Sequence, residues 1–195
     1  MTVIGEIAAE RARQIQIEGW THTHDDNHDF GELAAAGSAY ALCAADQLHP
    51  GSQGDGGFHR GALPIMWPWD TTWWKPKGPR RDLVRAAALI IAEIEKLDRD
   101  AQRTFLQVVR TMGADNGCHF TATAEEVALA TPVVATMMDA GYFRDDPEDL
   151  KHSFWQAAAG EESEARQFFH RAPAAYTQLS EVLTTIFDRG GSLTP

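Results

Sequence analysis

Residues 80–98 read Arg-Arg-Asp-Leu-Val-Arg-Ala-Ala-Ala-Leu-Ile-Ile-Ala-Glu-Ile-Glu-Lys-Leu-Asp. Within this stretch Leu83, Ala87, Ile90, Ile94 and Leu97 recur at alternating steps of four and three, the spacing that collects side chains on one face of an α-helix. It is the clearest amphipathic stripe in the chain and predicts a helix from Arg80 to Asp98. Upstream, Ile4, Ile7, Ala8, Ala12 and Ile15 predict a helix over 3–18, with Glu6, Glu10, Arg11, Arg13 and Glu18 facing water and Gly19 as its stop. The polar run Trp20 to Asp29 is expected to be a loop. Asp29, with Glu32 three residues on, opens a second helix that Pro50 closes. Its small residues Ala34 to Ala39 allow another helix to approach closely. If these three helices pack as one domain, Trp20, Tyr40, Leu83, Ile90 and Ile94 are its shared core.

Residues 49–79 carry no clear period, and a connection of that length is usually functional or disordered. Its first part is glycine-rich, and residues 51–60 are expected to be mobile. Its second part holds Trp67, Trp69, Trp73 and Trp74, which argues for order. After Asp100 the pattern changes. Thr104–Met112 reads as helix, Gly113–Phe120 as a turn, and Thr123 with Glu126 as a capping box for a helix through Asp139 that Gly141 ends. Further helices are expected over 146–160, 161–171 and 173–188. No alternation of period two is long enough for a sheet. The expected architecture is all-α: a small helical domain of residues 1–99 with a long Trp-rich loop, then a second helical domain of residues 100–195.

The chain has 195 residues and a formal net charge of −11. An acidic balance argues against broad nucleic-acid binding, which needs a basic footprint. No run approaches the roughly 18 apolar residues of a membrane span. The N-terminus lacks the basic region and apolar core of a signal peptide. Cys43 and Cys118 form neither a disulfide framework nor a CxxC pair. A cytoplasmic protein is expected, without cofactor or bound metal.

Three constellations bear on chemistry. The first is Gly19-Trp20-Thr21-His22-Thr23-His24-Asp25-Asp26-Asn27-His28-Asp29 with Glu32. Its carboxylates suit capping and turn bonds, and the four-residue step from His28 to Glu32 also suits a metal. The second is Trp67 to Arg81, where four indoles run into Lys75, Lys77, Arg80 and Arg81. Indole faces stack on planar rings and attract cations. Arginine forks match phosphate oxygens, and a helix starting at Arg80 adds backbone amides. The same residues also make sense as core tryptophans with basic side chains paired to Asp25, Asp26 or Asp70. The third is the carboxylate set Glu93, Glu95 and Asp98, whose ExxD spacing joins Asp29 and Glu32 as a magnesium-holding pattern.

Across residues 8–99, the wording Glu18-Gly19-Trp20-Thr21, His24-Asp25-Asp26, His28, Trp67-Pro68-Trp69-Asp70, Trp73-Trp74-Lys75-Pro76 and Arg80-Arg81-Asp82-Leu83-Val84 resembles a small family found in phages and prophages. The order Arg11, Gly19-Trp20-Thr21, Asp25-Asp26, His28 and the helix from Arg81 to Leu97 is similar to the ryanodine-receptor repeat domain. That resemblance implies paired helices with a pocket of adenine-nucleotide type, although the repeat's Tyr-Gly step and Lys-x-His-Pro run are missing. Residues 100–195 are covered by neither resemblance.

The combined expectation is a phage-encoded binding protein that holds a nucleotide or ADP-ribose-type signal and so sequesters a host immune messenger, an anti-defence role. Its partner is an anionic, ring-containing small molecule, with no membrane or nucleic acid, and the reading allows a homo-oligomer. The expected ligand-binding residues are Trp20, His24, Asp25, Asp26, His28, Trp73, Trp74, Lys75, Arg80 and Arg81. Two other readings compete. One is a magnesium-dependent all-α nucleotide pyrophosphohydrolase, resting on the DxxE and ExxD spacings. The other is a helical adaptor for a host protein.

Overall fold

The computed structural model describes residues 2–49, 63–115, 117–141 and 172–193. Among them it is all-α, with six α-helices and a two-stranded sheet of two-residue strands. The expected helices over 146–160 and 161–171 and the mobile stretch 51–60 lie outside the described residues. The chain divides into two compact units, Met1–Lys96 and Leu97–Pro195.

Helix α1, Val3–Gln16, is capped by the Thr2 hydroxyl, which accepts from the Gly5 N–H. Its buried residues are Glu10, Arg11 and Gln14, while Ile4 is 75 % exposed. The sequence pattern placed the charged residues in water, yet Glu10 and Arg11 are buried; Glu18 is exposed as expected. The reason is pairing: a buried charge is tolerable when a partner meets it, and Glu10 and Arg11 each meet two opposite charges.

Beyond α1 the chain turns at Gly19, whose φ of +78° an L side chain rarely adopts. The expected loop then contains a helical turn, α2, His22–Asp25, capped by the Thr21 hydroxyl. Helix α3, Glu32–Leu48, starts from Gly31 with φ +73° and no side-chain cap, not from Asp29. Glu32 instead accepts the Phe30 N–H at 2.8 Å.

Helix α4, Pro79–Asp115, runs unbroken through the predicted boundary at Asp98. No proline or glycine lies between Pro79 and Gly113. A polarity change alone does not end a helix; a backbone break does. The start of α4 is fixed by Asp82, fully buried, whose carboxylate accepts from the Lys77 and Gly78 amides at 2.9–3.1 Å.

The first unit's apolar core joins Leu33, Ala36, Ala39 and Tyr40 of α3, Trp67, and Ala86, Leu89 and Ala92 of α4. Gly37 brings the helices together: a Cβ there would lie 3.1 Å from the Ala86 carbonyl oxygen and from Ile90 Cγ1. This corrects the expected core. Tyr40 is buried and Trp20 half-buried, but Leu83, Ile90 and Ile94 are 44, 42 and 52 % exposed. The regular four-three stripe lies beside the contact face, and the alanine-rich face packs because small side chains allow close helix approach.

In the second unit, Phe105, Val109 and Met112 of α4 pack with α5, Ala124–Asp139, and α6, Pro173–Asp188. Thr123 and Glu126 form the expected capping box. Arg189 clasps Glu126 and the Thr121 carbonyl. Strands β1, Cys118–His119, and β2, Ser192–Leu193, pair antiparallel.

Candidate functional site

A cavity of about 540 Å³ opens within the first unit, lined by residues of α1, α2, α3 and α4 and by the tryptophan segment. That volume falls in the range of small-molecule sites. Its walls follow from local chemistry. Asp70 caps the 3₁₀ turn Thr71–Trp73, accepting the Thr72 N–H at 2.8 Å. The Thr72 side chain, and after it that backbone bond, hold the Asp70 carboxyl below the usual carboxylate range. Trp67 Nε1 donates to the Asp70 carbonyl at 3.1 Å. The turn thereby sets Trp67 edge-on to Trp69 at 5.2 Å and to Tyr40 at 5.6 Å. Trp69 in turn lies 5.5 Å from the His28 ring and 6.4 Å from Trp20. His24 meets His28 edge-on at 5.1 Å.

Part of the polar lining comes from the C-terminal half of α1 and the residues just after it. Glu10, Gln14 and Glu18 are spaced four apart and all border the cavity, with Arg13 between them. Arg13 holds both Glu10 and Glu18, and Arg81 adds a second contact to Glu10. Burial pushes the Glu10 carboxyl up, but the hydrogen bonds from Arg13 and Arg81 outweigh it and leave it below the ordinary glutamate value. Beneath the cavity Arg11, almost fully buried, pairs with the buried Asp25 and reaches Glu95 at 3.0 Å. Arg85 donates to the Lys75 carbonyl and lies 5.5 Å over the Tyr40 ring. Burial pushes the Tyr40 hydroxyl up.

Three buried polar atoms have no partner among the described residues: Gln14 Oε1, His28 Nε2 and Trp74 Nε1. Gln14 and His28 both line the cavity. Buried polar atoms are normally satisfied, so such exceptions call for a water or a ligand.

Of the expected site residues, the structure brings six together around this cavity: Trp20, His24, Asp25, His28, Trp73 and Lys75. Four lie elsewhere. Asp26 closes α2, its N–H bonding the His22 carbonyl. Trp74 stacks on Tyr40 at 4.7 Å, outside the lining. Arg80 forms a forked pair with Glu6 at 2.6–2.7 Å, and Arg81 is taken by Glu10. The expected anion cluster is thus drawn onto α1, because the acidic face of α1 competes for those guanidinium groups. Lys75 stays at the cavity, 5.4 Å over the Trp73 ring.

Sequence reading missed Glu10, Arg13, Gln14, Glu18, Tyr40, Trp67, Trp69, Asp70 and Arg85 as lining. The four-residue step of Glu10, Gln14 and Glu18 was the available signal. Three of the five carboxylates behind the magnesium reading are engaged in the fold: Glu32 with the Phe30 N–H, Glu93 with the Ala34 N–H, Glu95 with Arg11. Among the described residues no three His, Cys, Asp or Glu side chains converge as a metal site. No described helix is long and apolar enough to cross a membrane. No family model, curated protein or solved structure matches the chain.

Proposed function

We propose that the first unit is a small-molecule binding module that holds a nucleotide or ADP-ribose-type ligand in the tryptophan-walled cavity. In this reading the protein withholds such a signal and does not transform it, as a phage-encoded sink for a host immune messenger would. The observation that carries the reading is an aromatic cavity of about 540 Å³ containing unpaired polar atoms on Gln14 and His28. Ring walls with a few convergent polar groups are the general form of a small-molecule site. The similarity of residues 11–97 to the ryanodine-receptor repeat points the same way.

Calorimetric titration of adenosine, AMP, ATP, ADP-ribose and cyclic dinucleotides tests it, with Trp69→Ala and Arg80→Ala in parallel. Stacking on an indole contributes roughly 1–3 kcal/mol. Trp69→Ala should therefore weaken binding by at least fivefold, and Arg80→Ala should leave it unchanged. Binding unaffected by Trp69→Ala, or no binding across the panel, contradicts the proposal. Magnesium-dependent turnover of a bound nucleotide would contradict the withholding role.

A further inference from the structure

We infer that Gln14 and His28 read the hydrogen-bonding edge of the ligand's ring, and that the ligand class is an amino-bearing nucleobase recognised as its nucleoside, with phosphate adding little. The inference rests on the binding reading above and goes beyond it in naming the recognised group.

Gln14 is 2 % exposed, borders the cavity and leaves its side-chain oxygen without a donor. A carbonyl oxygen with no donor asks for an N–H. The backbone that carries it is held: the main-chain carbonyl of Gln14 accepts the Trp20 N–H at 3.0 Å, which pins the end of α1 to the turn after Gly19. His28 leaves Nε2 enclosed and unpaired at the same cavity. A neutral imidazole nitrogen either donates or accepts, according to tautomer. Trp69, 5.5 Å from the His28 ring, offers a flat surface beside His28 in the cavity that Gln14 also lines. An acceptor, an adaptable nitrogen and an indole wall match a planar heterocycle whose edge carries an amino group next to a ring nitrogen.

The charges at the cavity leave little for a phosphate to gain, so a nucleotide is held chiefly through its nucleoside part. Glu10, Glu18, Asp25 and Asp70 line it with Arg13, Lys75 and Arg85. Arg13 is committed to Glu10 and Glu18, and Arg85 to the Lys75 carbonyl. Lys75, at the half-exposed Trp73 ring, is the cation placed to meet a phosphate. Glu10 and Glu18 are paired with Arg13, and Asp25 with Arg11, so one exposed ammonium is left to meet a phosphate, and an exposed charge adds little attraction.

The test is calorimetric titration of adenosine, purine riboside (the same nucleoside without its amino group), AMP and ADP-ribose into the full chain, repeated on Gln14→Leu and Gln14→Glu. The parent should prefer adenosine to purine riboside by about tenfold or more, the worth of one buried hydrogen bond. AMP and ADP-ribose should bind within about tenfold of adenosine. Gln14→Leu should bind both nucleosides alike, while Gln14→Glu, which keeps an acceptor oxygen, should retain the preference. Three results overturn the inference while leaving the binding reading intact: equal affinity of the parent for the two nucleosides, a preference that survives Gln14→Leu, or phosphate-dominated binding. If neither Gln14 variant retains a preference, acceptance by the Gln14 oxygen is also refuted. Failure of every compound to bind the parent removes the binding reading itself.

Discussion

Replacing Arg11 by Met should destabilise the first unit more than any surface substitution in it. Arg11 and Asp25 are 5 and 1 % exposed, and the guanidinium bonds the carboxylate directly. Removing the cation strands a buried carboxylate, which typically costs about 3–5 kcal/mol. Asp25→Leu should cost less, about 1–3 kcal/mol, because Arg11 retains Glu95 at 3.0 Å and that carboxylate is 38 % exposed. The double variant Arg11→Met/Asp25→Leu should recover much of the loss, since a buried ion pair and an apolar pair of similar volume are often near equal in stability. The assay is urea unfolding followed by tryptophan fluorescence. Five of the six tryptophans, Trp20, Trp67, Trp69, Trp73 and Trp74, lie in the first unit. A Trp155→Phe background therefore makes the signal report that unit. An Arg11→Met variant within about 0.5 kcal/mol of the parent, the range of ordinary surface changes, would refute the burial and pairing argued for α1.

Leu89→Ala should cost about 2–5 kcal/mol, whereas Ile90→Ala should cost about 1 kcal/mol or less because Ile90 is 42 % exposed; urea midpoints in that order reversed would restore the four-three stripe as core. Gly113→Ala places a Cβ 2.5 Å from the Cys118 carbonyl oxygen and should lower the thermal midpoint, with a loss of about 1–3 kcal/mol; an unchanged midpoint would contradict that packing. Glu10 has its carboxyl held below the ordinary value of 4.5, so the folded state binds its proton more weakly than the unfolded state. Its contribution is fully present above pH 4.5 and disappears as pH falls through the folded value. The stability gap between the parent and Arg81→Gln should therefore narrow in acid, as measured by urea midpoints from neutral pH downward, and a constant gap would argue against the Arg81–Glu10 pair.

The helices were legible where the backbone itself signals. Thr123 with Glu126, Gly141 and Pro173 marked real termini. The boundary read at Asp98 failed because it rested on polarity, and α4 ends only past Gly113. The His-Asp loop hid a helical turn that Thr21 caps. In the site, aromatic and histidine residues could be singled out from composition alone. The polar face of α1 could not, because its burial depends on partners far along the chain: Glu10 with Arg81, Arg11 with Asp25 and Glu95. For the same reason Arg80 and Arg81 looked free in sequence and are paired in the fold.

A crystal structure of the full chain grown with adenosine tests the central claim most directly. The account predicts ring density against Trp69, with a donor of the ring within hydrogen-bond distance of Gln14 Oε1 and a ring nitrogen facing His28 Nε2. A cavity filled only by ordered water, or adenosine bound away from Trp69, Gln14 and His28, would contradict it.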